Sequence, residues 1–275
     1  MDRLTTLRRG RLVFDLRDEG PDDGEPVVLL HGFPQDSRCW SRVAPLLHRA
    51  GLRTLAMNQR GYSPGARPPG RGAYRLSWLA ADAIALLDAA GLARAHLVGH
   101  DWGGAVTWAA AAAAPGRVAT ATVLSTPHPR AFARALARSD QPLRSWYILV
   151  EQLPALPEVL LRAGLERGLR QRGLPATDSA RYARLMREPG ALTAALNWYR
   201  AIPLYATSLP GPVSVPLTYV FGEHDFALSR AAAEASTALV DGDYRFVELD
   251  AGHWLPETRP QEVARAVVDR VSSPR

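Results

Sequence analysis

The rhythm of apolar positions changes several times along this chain, and each change predicts an element. GRLVFDLR (10–17) alternates apolar and polar residues, the period of a strand with one wet face. EPVVLLHG (25–32) is a continuous apolar run ending in a loop, as a strand buried on both faces requires. A helical period covers 37–50, and LRTLAMNQRG (52–61) reads as a second short apolar strand running into a loop. After the Pro/Gly loop SPGARPPGRGA (63–73), residues 74–91 form an amphipathic helical pattern closed by Gly91. RAHLVG (94–99) reads as a strand, 102–114 as a helix stopped by Pro115, and RVATATVLS (117–125) as another strand.

Strand and helix alternate to this point, which predicts an α/β domain with a parallel sheet covered on both faces. The alternation then breaks off. Residues 127–212 carry no clear buried strand, only helical stretches punctuated by Pro and Gly. The pattern resumes with a strand at VPLTYVFG (215–222), a helix at 229–239, a strand at DYRFVEL (243–249) and a final helix at 260–272. The expected organisation is a core domain built from 1–126 and 213–275, interrupted by a helical insertion at 127–212. No internal repeat is visible. The alanine run 109–114 suits a buried helix.

Composition narrows the function classes. Hydrophobic content of 47% and charged content of 22% are those of a globular protein, and no window has the apolar length of a membrane span. The basic N-terminus MDRLTTLRRG is not followed by an apolar stretch, so no secretory signal and a cytoplasmic location are expected. Cys39 is the only cysteine, which excludes an internal disulfide and a cysteine metal cluster. The net charge is +6, but the basic residues are scattered without aromatic interleaving. They read as a solvated surface, with no nucleic acid and no membrane as partner. The chain has no lysine, which excludes Schiff-base chemistry and a P-loop lysine.

The candidate chemistry starts at GHDWGG (99–104), between an apolar strand and an alanine-rich helix. It has the outline of a nucleophile elbow, with Asp101 where a serine hydrolase carries Ser. Taken alone, Asp101 could equally cap the helix that begins at Trp102. Two further loops bear on the choice. EHD (223–225) follows the strand LTYVFG, and AGHW (251–254) follows YRFVEL. Both leave the C-terminal edge of the sheet, the edge where open α/β folds bind ligands. The order Asp101, Asp225, His253 is that of nucleophile, acid and histidine. Glu223 and Asp250 compete for the role of acid but rank below Asp225, which lies deeper in its loop. In HGFPQ (31–35), the N–H of Phe33, with that of Trp102, can face a developing oxyanion. His31 reads as structural. A metal role for it with His100 or His128 has no recognised ligand spacing, so no metal and no cofactor are expected.

The motifs HGFPQ, NQRGYS, GHDWGG, FGEHD and AGHW span residues 31 to 254. Together with the order of elements they resemble the epoxide hydrolase branch of the α/β-hydrolase fold, close to the haloalkane and haloacetate dehalogenases. The resemblance covers nearly the whole chain. It implies a mostly parallel eight-stranded sheet flanked by helices, with the insertion as a lid. It implies Asp101, Asp225 and His253 as the triad and Phe33 and Trp102 as the oxyanion hole. RSWYILVEQLP (144–154) and LNWYR (196–200) resemble the lid segments that supply two tyrosines, which assigns Tyr147 and Tyr199; Tyr182 and Tyr205 read as packing. His31, Pro34, Trp102, Trp146 and Trp254 are expected around the substrate pocket.

The implied reaction is cofactor-free conversion of a small apolar epoxide and water to a diol. A carboxylate is already ionised near neutral pH, so it attacks saturated carbon without a base. The resulting ester on Asp101 is then hydrolysed by water that His253 activates. A dehalogenase-type hydrolase and a non-catalytic or biosynthetic ligand-binding homologue are the alternatives. Tyr147 and Tyr199 favour an epoxide, whose alkoxide needs a proton. Phe33 stands where many haloalkane dehalogenases present Asn, and Trp102 where haloacetate dehalogenases place Arg. The chain departs from the family's Asp-x-Arg-Gly-Tyr loop with Asn58-Gln59-Arg60-Gly61-Tyr62. The oligomeric state, a homodimer included, is left open.

Overall fold

The computed structural model describes residues 3–273, so the first two and last two residues of the expected core lie outside the described ones. The elements run in the order β1 (Thr6–Arg9), β2 (Leu12–Glu19), β3 (Glu25–Leu30), α1 (Ala44–Arg49), β4 (Leu52–Met57), α2 (Leu76–Ala89), β5 (Ala95–His100), α3 (Trp102–Ala113) and β6 (Val118–Leu124). Six helices follow: α4 (Pro129–Arg138), α5 (Gln141–Arg144), α6 (Tyr147–Glu151), α7 (Leu156–Gln171), α8 (Ala176–Arg187) and α9 (Ala191–Arg200). The chain then returns to the sheet with β7 (Leu217–Gly222), α10 (Arg230–Ala235), β8 (Tyr244–Leu249), α11 (Leu255–Thr258) and α12 (Pro260–Val271). No helix among the described residues is long and apolar enough to cross a membrane.

The eight strands form one sheet in the order β1-β2-β4-β3-β5-β6-β7-β8. β1 with β2 and β2 with β4 pair antiparallel; the other pairs are parallel. The residue pattern explains this division. Every residue of β4, β5, β6 and β7 is buried, as befits strands covered on both faces. β2 alternates buried and exposed positions over its second half, as an antiparallel strand near the edge does. The parallel register aligns the C-terminal ends. Leu30 of β3 pairs with Gly99 of β5, and Gly222 of β7 with Leu249 of β8. The loops after these strands therefore leave the sheet side by side.

The strands expected from the apolar pattern are all present. The eighth, β1, is TLRR, a four-residue edge strand with one buried position, too short and polar to show a period. The helix expected over 37–50 is divided. Ser37–Arg42 is a 3-10 helix and α1 begins only at Ala44, with Pro45 in its first turn, where a missing N–H costs nothing. The helix expected over 229–239 stops at Ala235, and Thr237–Leu239 continues as a 3-10 turn. At the joint, the Ser236 hydroxyl donates to the Ala232 carbonyl (3.2 Å), a side-chain bond that competes with the helix.

A buried ion pair ties β2 to β4. Arg53 donates from Nε and Nη2 to the two oxygens of Asp18, at 2.8 and 2.6 Å. Burial pushes the Asp18 carboxyl up, but Arg53, the Leu4 N–H and Arg3 outweigh it and hold it below its ordinary value. A depressed carboxylate stabilises the fold above its unfolded pKa, and this contribution is lost as pH falls through the folded one. Asp18→Ala leaves Arg53 buried without its partner, and urea unfolding at neutral pH is expected to show a loss of about 3–5 kcal/mol. A loss well under 1 kcal/mol would contradict this account of the edge of the sheet.

Candidate active site

Asp101 is the single residue between β5 and α3, with φ 50° and ψ −123°. Positive φ is uncommon for a residue with a Cβ and stores strain. Glycines let the surrounding backbone close up. A Cβ on Gly99 would collide with the Gly103 carbonyl, and one on Gly103 with that of Leu30. Asp101 occupies the N-cap position of α3, but its carboxylate makes no capping bond to that helix's second or third N–H. Instead Oδ1 accepts from the Phe33 N–H at 2.7 Å, and the carboxylate also accepts from the Trp102 N–H. Burial raises the Asp101 carboxyl above its ordinary value, against the pull of His253 and these two N–H groups.

His253 stands on the other side. Its Nε2 lies 3.7 Å from Asp101 Oδ2, and its Nδ1 is 2.8 Å from Asp225 Oδ2. The other oxygen of Asp225 accepts from the N–H groups of Ala227 (2.8 Å) and Leu228 (3.0 Å), which fix the carboxylate. Burial opposes protonation of His253. The charge and hydrogen bond of Asp225, with the charge of Asp101, overcome it and raise the imidazole above its ordinary value. Asp250 pairs with the exposed His224 instead (2.9 Å), and Glu223 is exposed.

Above the elbow lies a cavity of about 220 Å³, lined almost entirely by apolar groups. Asp101 and Trp102 form its floor, and Tyr147 and Tyr199 line it from α6 and α9. The two phenol rings stand 6.2 Å apart, and Tyr199 also packs edge-on against Phe33 (5.4 Å) and Trp102 (5.0 Å). Burial, then the charges of Asp101 and Glu151, hold Tyr147 well above the ordinary phenol range; burial, then Glu151 and Asp101, do the same for Tyr199. Among the described residues, no cluster of His, Cys, Asp and Glu could hold a metal.

Comparison with known proteins gives the family. Residues 25–260 match the family model of the alpha/beta hydrolase fold. Epoxide hydrolase A of Mycobacterium tuberculosis (strain ATCC 25618 / H37Rv) is 34% identical over 91% of this chain and 92% of its own. The chain belongs to the α/β-hydrolase fold family, in its epoxide hydrolase branch. The AB hydrolase superfamily protein YfhM of Bacillus subtilis (strain 168) is 35% identical over 91% of each chain. Among solved structures, Epoxide Hydrolase A from Mycobacterium thermoresistibile superposes with a TM-score of 0.83 at 29% identity, covering 97% of each chain.

Four residues expected around the pocket do not line it. Trp146 is 59% exposed: it precedes Tyr147, and one helical step turns a side chain by about 100°. His31 is fully buried behind the loop. Its Nδ1 donates to the Gly32 carbonyl (2.9 Å), its Nε2 accepts from the Gln59 N–H (3.1 Å), and burial pulls it down to about 4. Pro34 is buried beside Phe33, away from the cavity. Trp254 is held by its indole N–H on the Arg172 carbonyl (3.1 Å) and packs edge-on against His253 at 5.0 Å. These three support the site from behind. Asn58 also serves the frame, since its side-chain oxygen accepts from the Ser37 N–H (2.8 Å).

Other neighbours went unread in the sequence. The Ser125 hydroxyl, on a residue at φ 53°, donates to the His253 carbonyl (3.0 Å), and the Thr126 hydroxyl donates to the Asp101 carbonyl (2.7 Å). His100 spans the gap between Gln35 Oε1 (2.9 Å) and the same His253 carbonyl (2.8 Å). Only its place beside Asp101 in the motif could have singled it out. Tyr182, expected as packing, is fully buried and also donates to Glu257 at 2.7 Å. Gly103→Ala is expected to cost about 1–3 kcal/mol in chemical denaturation, because the new methyl meets backbone that cannot move aside. An alanine variant as stable as the parent would mean that the elbow tolerates a Cβ there.

Proposed function

We propose that this protein is an epoxide hydrolase, with Asp101 as nucleophile, Asp225 and His253 completing the triad, and residues 127–212 acting as the lid. The observation that carries the reading is the pairing, across one apolar cavity, of an aspartate at the elbow with two phenols from the insertion. The relatives named above that are called epoxide hydrolases support it.

Asp101 is half-buried at the floor of the cavity, and as a carboxylate its attack on a ring carbon needs no proton removed first. The C–O bond of the epoxide breaks as the ester forms. The alkoxide that leaves takes a proton from Tyr147 or Tyr199. Water then attacks the carbonyl carbon of the ester while His253 accepts its proton. The N–H groups of Phe33 and Trp102, which contact the Asp101 carboxylate in the free protein, face the oxyanion that forms there. Collapse of the tetrahedral species expels the second oxygen of the diol, which takes the proton from His253, and the other water proton, left on the Asp101 carboxyl, returns to the lid and restores the phenol. Asp225 orients the imidazole through the 2.8 Å contact and stabilises its charged form.

The cavity also bears on substrate class. At about 220 Å³ it lies below the range of about 300–1,000 Å³ usual for drug-sized ligands, which favours a small apolar epoxide. No arginine lines it, so nothing there receives a substrate carboxylate. A dehalogenase reading leaves the two phenols without a task, since a halide needs no proton.

His253→Gln is expected to accumulate the mass of one styrene oxide molecule per chain, and Asp101→Ala to gain none, by intact-protein mass spectrometry. In a single turnover in 18O-water, the label is expected in Asp101 before it reaches the product. A first-turnover diol carrying the solvent oxygen directly would falsify the covalent route. The double variant Tyr147→Phe, Tyr199→Phe is expected to slow ester formation by about 10²–10⁴-fold, the usual worth of a general acid. Parental rates in that variant, or bromide release from a bromoalkane faster than diol formation in the parent, would favour the dehalogenase reading.

A further inference from the structure

One buried acid stands behind this cavity and has no part in the chemistry so far. Glu151 ends α6 one helical turn after Tyr147, a spacing that sets both side chains on one face. It is 6% exposed, and its Oε2 has no hydrogen-bond partner. The nearby cation is committed elsewhere. Arg200 clamps Glu158 with two bonds, 2.7 and 2.9 Å, and gives its Nε to the main-chain carbonyl of Glu151 (3.0 Å) rather than to the carboxyl. That bond, and one from Gln152 Nε2 to the Tyr199 carbonyl (2.9 Å), fasten the end of α6 to the end of α9. Glu151 is thereby held near the phenols, with no direct hydrogen bond to any of them. Its charge acts on Tyr147, Tyr199 and Tyr62, and the buried Tyr62 hydroxyl also lacks a partner. Burial first, and then the charge of Asp101, push the Glu151 carboxyl up to about 8 against the pull of Arg200, so it carries a proton at neutral pH.

We propose that Glu151 is the proton donor that restores the phenol after ring opening, so that the negative charge of the site passes from Asp101 to Glu151 for the lifetime of the ester. The proposal rests on the epoxide reading above. A buried phenolate is unfavourable here, since both lid phenols sit well above their ordinary range. When Asp101 attacks, the ring oxygen takes the phenol proton, and the Glu151 carboxyl, which no hydrogen bond holds in place in the resting protein, turns to the phenolate and gives up its proton. Asp101 is now an uncharged ester, so the repulsion that kept Glu151 protonated is gone. When hydrolysis returns Asp101 as a carboxylic acid, that proton goes back to Glu151. One epoxide and one water are consumed, one diol is made, and the two carboxylates do not need to be charged together. Glu151 does not line the cavity and acts only through the phenols.

The test uses the full chain with His253→Gln, in which ester formation is isolated, and styrene oxide as the probe. The rate of mass gain is followed by quenched flow from about pH 6 to about pH 9.5, with and without Glu151→Gln or Glu151→Asp. With Glu151 intact, the rate is expected to fall as pH rises through about 8. Glu151→Gln is expected to be at least about tenfold slower at neutral pH and to lose that fall, while Glu151→Asp keeps it. Parental rates in Glu151→Gln, or a slower variant with the same fall, overturn the relay and leave the epoxide reading standing. No mass gain in the His253→Gln protein at any pH overturns both.

Discussion

The site depends on one backbone position held where residues with a side chain seldom sit. Asp101 takes φ 50° at the junction of β5 and α3, and that turn lifts its carboxylate clear of the sheet edge. The turn survives because the surroundings over-determine it. Gly99 and Gly103 let the strand, the helix and the end of β3 approach until no Cβ fits between them. The Thr126 hydroxyl holds the Asp101 carbonyl, and the Phe33 N–H holds its side chain. The strain is local, and it aims one anion at the cavity.

The parallel register then supplies the company that this anion keeps. β3 and β5 end level, so the loop after β3 brings its N–H to the carboxylate. β7 and β8 end level, so Asp225 and His253 leave the sheet together. Burial alone would keep His253 neutral. Three carboxylates, Asp225, Asp101 and Glu257, raise it, and one of them disappears as a charge once Asp101 becomes an ester. On the proposed route the imidazole therefore loses part of that push at the moment it must act as a base.

Behind the histidine, a buried polar chain connects the insertion to the core. Tyr182 of α8 donates to Glu257 of α11, Gln35 Nε2 donates to the same oxygen (2.8 Å), and Gln35 Oε1 accepts from the Gly32 N–H (2.8 Å). His100 continues it to the His253 carbonyl. The chain links three loops whose main chains carry the site, although the second oxygen of Glu257 is buried without a partner. Burial raises Glu257 to about 7, despite bonds from Tyr182 and Gln35 that favour its charged form.

Much of this was legible in the chain. Strands buried on both faces are continuous apolar runs, so β3 to β7 showed themselves, and the elbow, the acid and the histidine stood at strand ends in a readable order. β1 did not show, because four residues with one buried position have no period. Trp146 and Tyr147 are neighbours in sequence, and only the placement of α6 decided that the phenol faces the cavity and the indole faces water. The sequence by itself determined the fold class and the chemical types available, because both follow from local pattern and residue identity. The tertiary structure alone decided which acid meets His253, that His31 and Trp254 serve as supports, and that the Glu151 carboxyl is buried without a cation bonded to it. Those outcomes depend on distances between segments far apart in the chain, which no local pattern encodes.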